Sequence, residues 1–172
     1  MHCDTYQVFA ASYNTKDAAM ADFSAVEAMY GDMALVDTYD AIVLAHENGK
    51  TGVVRDGEQA DGRDGVGIGL ALGACCALFP AVTLANGAVA GAIARGAGAI
   101  VAGHFVSGVS RDALRDLGQV LDEGMFGLIV IVATDVAQSV RDAIKRAVSM
   151  ERQPFSADCK AIRKELRQLG EA

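Results

Sequence analysis

The stretch Gly65–Val106 reads GVGIGLALGACCALFPAVTLANGAVAGAIARGAGAIVAGHFV. Whether it belongs to the folded core or interrupts it decides the architecture. Its one certain charge is Arg95, and Gly, Ala, Val, Leu and Ile make up most of the rest. Gly65, Gly69, Gly73 and Ala77 recur at every fourth position, as do Ala90, Ala94, Gly98 and Ala102. On a helix that spacing lines up small side chains into a flat groove that another helix can approach closely. Pro80 and Asn86-Gly87 divide the stretch into two arms of similar length, so it is expected to form an up-and-back helical pair.

The flanking sequence reads as a small α+β frame. Tyr6 to Tyr13 is expected to be a strand. Thr15 is positioned to cap a helix with Asp17 in its first turn, an apolar face of Ala19, Phe23, Val26 and Tyr30, and Gly31 closing it. Ala34 to His46 reads as a long strand, Asn48-Gly49 as a two-residue hairpin turn, and Thr51 to Arg55 as the returning strand. Asp56 to Asp64 reads as a charged loop leading into the apolar stretch. Beyond the stretch, Ser110 is expected to cap a helix carrying Leu114, Leu117 and Leu121, ended by Glu123-Gly124. Phe126 to Ala133 has no polar residue to face water and reads as a central strand. Thr134 is expected to cap a helix with Val136, Val140, Ala143 and Ile144. Glu151 to Phe155 reads as a short edge strand, where Pro154 is tolerated. Ser156 is expected to open a terminal helix with Ile162, Leu166 and Leu169 on one side and Lys160, Arg163, Lys164 and Arg167 on the other.

With the stretch set aside, the elements run βαββαβ, a ferredoxin-like order. The expected organisation is therefore an α+β frame from residues 1–64 and 107–172, including a C-terminal helix–strand–helix extension. A glycine-zipper helical hairpin at 65–106 interrupts it between the third strand and the second helix. This pattern resembles an uncharacterised bacterial family of membrane proteins of unknown function, which combines such a frame with a Gly-rich helical insert. The resemblance runs from Tyr6 to about Leu169. It rests on the strand pair around Asn48-Gly49, the Gly65-Val66-Gly67-Ile68-Gly69-Leu70 opening and the Ala88-Val89-Ala90-Gly91-Ala92 repeat. The helix running into an apolar strand over Leu114 to Val132, and the closing helix, strand and helix, complete it. The resemblance implies no established activity. Cys75-Cys76 and Phe79-Pro80 make the first arm bulkier than a plain Gly/Ala zipper.

Composition narrows the partners. A chain of 172 residues can bury one ordinary core. A net charge of −7 argues against nucleic acid, which needs a basic footprint. Trp is absent, so none anchors at a membrane interface. Cys3, Cys75, Cys76 and Cys159 form no Cys-x-x-Cys, so a reducing compartment without structural disulfides is expected. Met1 to Tyr6 lacks the basic and apolar regions of a secretory signal.

Each arm approaches the roughly 20 apolar residues that a membrane span requires. Arg95, near the middle of the second arm, opposes insertion by about 2.5–3.5 kcal/mol. Basic flanks are thin in the sequence: Arg55 and Arg63 lie among acidic residues, and Arg111 is beside Asp112. The competing solution is a water-soluble homo-oligomer in which copies cover each other's hairpins, because an apolar hairpin exposed alone would leave a large patch. The expected packing surface is Gly65, Gly69, Gly73, Ala77, Gly87, Gly91, Ala94, Arg95, Gly98 and Ala102.

The residues offer little chemistry. His2-Cys3 sits at a terminus, and His46-Glu47 reads as an ordinary exposed pair at a hairpin end. His104 reads as an interfacial or helix-end residue, and no ligand spacing recommends zinc. Asp37 and Asp40 alternate to opposite faces of a strand. Asp56 to Asp64 lacks calcium-loop spacing. Gly65-x-Gly67-x-Gly69 lacks the rest of a dinucleotide fingerprint. Cys75 and Cys76 lack an activating base. The expectation is a non-enzymatic structural or interaction protein without cofactor or metal. It would self-associate through its hairpin, in the cytoplasm or at the inner membrane, with membrane lipid as a further partner. The alternative is a module binding a small hydrophobic ligand or lipid in an apolar cavity of the oligomer.

Overall fold

A computed structural model describes residues 4–32, 39–47, 50–59, 82–84 and 97–170. Its elements are β1 (Asp4–Tyr13), α1 (Lys16–Asp32), β2 (Tyr39–Glu47), β3 (Lys50–Gln59), β4 (Val82–Leu84), α2 (Ala97–Gly108), α3 (Arg111–Asp122), β5 (Phe126–Ala133), a 3-10 turn (Thr134–Val136), α4 (Ala137–Ala143), β6 (Ser149–Ala157) and α5 (Cys159–Gly170). The fold is α+β.

The strands form one sheet in the order β4-β3-β2-β5-β1-β6. All neighbours are antiparallel except β3 and β4. This order corrects the ferredoxin-like expectation. In that arrangement the third strand fills the gap between the first two. Here β5 fills it, pairing with both β1 and β2, and β3 lies outside β2. The strand sequences explain the exchange. Gly127 to Val132 are all buried, so β5 needs cover on both edges and both faces. β3 carries Lys50, Arg55, Asp56 and Glu58 and suits a more peripheral place.

Side-chain alternation gives the sheet two buried faces. Phe9, Ala11, Tyr13, Ala41, Val43, Leu128, Val130 and Val132 lie under α1 and α4 with Ala19, Phe23, Val26, Ala137 and Val140. Val8, Ala10, Ile42, Leu44, Ile129 and Ile131 belong to the opposite face and are also buried. There α3 packs across β1 and β6, while α2 packs on β6 and α5. The sheet is thus the middle of three layers.

Local signals account for several boundaries. Thr15 Oγ1 accepts the Ala18 amide at 3.3 Å, and Ser110 Oγ accepts the Ala113 amide at 3.1 Å, as N-caps. α3 buries Ala113, Leu117, Val120 and Leu121. Glu47 pairs with Lys50, bracketing Asn48-Gly49, which lie outside the described residues, as do Ala34 to Thr38.

Other boundaries differ from the expectation. α1 continues through Gly31 to Asp32. β3 extends through Asp56 to Gln59, pairing with the start of β2 across a bulge at Val43/Leu44, so that part of the expected loop is strand. Thr134 does not cap a helix: its hydroxyl donates to the Thr5 carbonyl at 3.0 Å, tying the end of β5 to β1. Ser156 remains in β6, and Asp158 caps α5 by accepting the Ala161 amide at 3.0 Å. Val82–Leu84, placed at the end of a helical arm by the sequence reading, is a strand parallel to β3. Pro80 disfavours helix before it and the β-branched Val82 and Thr83 favour strand after it.

Candidate functional site

Of the expected packing residues, Gly98 and Ala102 lie in α2. Gly65, Gly69, Gly73, Ala77, Gly87, Gly91, Ala94 and Arg95 lie outside the described residues, so only the C-terminal end of the expected packing row falls among them. There α2 docks by aromatic packing. The Phe105 ring lies 5.2 Å from that of Phe155, which lies 6.0 Å from Tyr6. Phe105 and Phe155 are fully buried, and such pairs contribute about 0.5–1.5 kcal/mol beyond their burial. Gly108 permits the approach: a Cβ there would collide with the Ser156 carbonyl and the Phe155 ring.

Among the described residues nothing covers the opposite side of α2. Val106 is 48% exposed, and a Cβ on Gly103 would meet no atom within 4 Å among the described residues. Ile100, Gly103, His104 and Ser107 line a groove of about 360 Å³ closed on one side by Glu165 of α5. His104 Nε2 and Glu165 Oε1 are 3.0 Å apart, with side chains 25% and 48% exposed. Ser107 Oγ donates to the Gly103 carbonyl at 2.9 Å, a bond within α2. The pair therefore ties two helices together and orients an imidazole; the Ser107 proton is engaged by backbone.

Two other polar contacts have structural roles. His46, expected as part of an exposed pair, is half-buried and its Nε2 lies 3.0 Å from the Leu121 carbonyl. Its backbone amide donates to the Met125 carbonyl at 2.8 Å. Both contacts fix the end of α3 and its turn into β5 against β2, where carbonyls lack helical partners.

Asp22 of α1 is fully buried. It accepts the Tyr13 hydroxyl at 2.9 Å, the Arg146 amide at 2.9 Å and Arg146 Nη1 at 3.1 Å. Burial, then the charge and hydrogen bond of Asp22, push the Tyr13 phenol well above its ordinary range, while Arg146 opposes that shift. The knot joins β1, α1 and the connection from α4 to β6.

The sequence did not reveal Glu165 or Asp22 as contact residues. Arg146 and His104, their charged or ring partners, lie far along the chain, Tyr13 belongs to a different element from Asp22, and one carboxylate among polar neighbours carries no spacing signal. Among the described residues there is no group of three or more His, Cys, Asp or Glu able to hold a metal ion. Among the same residues no helix is long and apolar enough to cross a membrane. Comparison with models of known families, with curated proteins and with solved structures finds no match.

Proposed function

We propose that this chain is a non-enzymatic assembly protein of the cytoplasm or inner-membrane surface, self-associating through the Gly/Ala-rich segment 65–106. The observation that carries this reading is the open side of α2. Gly98, Ala102 and Val106 continue the four-residue spacing of the second arm into a described helix. Val106 there is nearly half exposed, whereas Gly103, about 100° around the helix from Ala102, belongs to the neighbouring stripe that faces the groove beside Glu165. A row of small residues allows close backbone approach, while one bulky side chain separates the axes. The segment is read as two helical arms on either side of the strand at Val82–Leu84, with a second copy covering what one frame leaves open.

The test combines assembly size with extraction. Gly69→Leu or Gly91→Leu is expected to lower the mass of the assembled species on sizing chromatography without detergent. An unchanged mass in both variants would remove the small-residue rows from the account. Quantitative retention in the membrane pellet after a carbonate wash would instead make the segment membrane-inserted.

A further inference from the structure

α5 carries Lys160, Arg163, Lys164 and Arg167 against a single acid, Glu165, in a chain whose net charge is −7. Lys160, Lys164 and Arg167 follow one another by four and three positions and are exposed, whereas Ile162 is buried. At helical spacing the three cations share one stripe, opposite Ile162. Glu165 lies off that stripe, beside α2 and at 3.0 Å from His104. The positive charge is thus gathered on the outward side of a helix that otherwise binds inward.

Its location gives this charge a meaning that chain order hides. Basic residues are sparse in sequence on either side of Gly65–Val106. The fold places α5 directly against α2, the last part of that apolar segment, through the His104–Glu165 contact. A basic stripe therefore stands beside the point where the apolar segment joins the frame. A basic stripe on an otherwise acidic chain is the kind of surface that an anionic lipid headgroup layer attracts.

We propose that the outer face of α5 is an electrostatic docking surface for an anionic phospholipid bilayer. The charge complementarity is local: the rest of the acidic chain is repelled by such a surface, so α5 is the side that turns toward it. The attraction acts over about 8 Å at physiological salt, so it requires contact and weakens as salt rises. This surface is separate from self-association, which is read by mass in solution rather than by lipid binding.

The test is co-sedimentation of the full chain with vesicles of phosphatidylglycerol and phosphatidylcholine, against vesicles of phosphatidylcholine alone. Wild type is expected to bind the anionic vesicles, with binding falling as salt is added. Lys160→Gln, Lys164→Gln and Arg167→Gln together should weaken partitioning roughly 100-fold, about fivefold per charge. A charge-matched control, Arg111→Gln with Arg141→Gln and Lys145→Gln, alters exposed residues on α3, α4 and the turn after α4 and should retain most of the binding. Circular dichroism of both triple variants confirms that they fold. Equal binding by wild type and the α5 variant, equal loss in the control, or equal binding to neutral vesicles would each overturn the proposal. So would no binding to anionic vesicles, including the case where duplex DNA is bound instead.

Discussion

The two faces of the sheet are closed by different chemistry. Under α1 and α4, a carboxylate with no solvent exposure is held by three hydrogen bonds from Tyr13 and Arg146. Under α2, α3 and α5, apolar and aromatic contacts do the closing, and the His104–Glu165 link between helices is open to solvent on its glutamate side. The comparison shows that the value of a charged contact follows its burial. A buried acceptor whose donors have no water to turn to is costly to remove, whereas an exposed pair exchanges one hydrated state for another.

The largest expected effect comes from breaking the buried knot. Asp22→Ala leaves the Tyr13 hydroxyl without its acceptor in the core and frees the connection around Arg146. It is expected to destabilise the fold by about 3 kcal/mol, measured by urea unfolding. Adding Tyr13→Phe to that variant should recover part of the loss, because the stranded hydroxyl goes with it. A cost under about 0.5 kcal/mol for Asp22→Ala would erase the contrast between the faces.

Alkaline pH probes the same knot without a mutation at Asp22. The folded Tyr13 phenol is held above its ordinary value. Its contribution is therefore fully present below about pH 10, where an unfolded tyrosine begins to ionise. It is lost as pH rises from there toward the folded value. Wild type should lose stability in that window more steeply than Tyr13→Phe, and the ultraviolet phenolate signal of Tyr13 should appear only with unfolding. Identical profiles for the two proteins would remove Tyr13 from the linkage.

On the other face the expected effects are smaller. Ser110→Ala removes the N-cap of α3 and should cost about 1 kcal/mol in chemical unfolding. Glu165→Gln should cost no more than about 0.5 kcal/mol, because both partners reach solvent. A larger cost would mean that His104–Glu165 fixes α2 in place, with the Phe105–Phe155 contact secondary.

What could be read from the sequence follows the same division between local and distant causes. β5 was legible to its ends because an uninterrupted apolar run needs burial on every side. The Ser110 and Thr15 caps were legible because the acceptor and donor are three residues apart. The N-cap of α5 is Asp158 rather than the expected Ser156 because β6 runs past Pro154 along β1 to Ala157. Sheet order was not legible: βαββαβ succession is compatible with either β3 or β5 between β1 and β2, and burial of β5 selects the second. Asp22 and Glu165 were invisible because Arg146 and His104 come from elements distant in sequence, and because a strand-to-helix contact such as Tyr13–Asp22 follows no helical or strand period. The basic side of α5 was legible as charge, but its neighbourhood with the apolar segment emerges only in the folded chain.

The measurement that bears most directly on the central claim is sedimentation equilibrium of the full 17.9 kDa chain without detergent. Self-association through 65–106 predicts a fixed multiple of that mass, reduced by Gly91→Leu. A wild-type mass equal to one chain across the concentration range would contradict it.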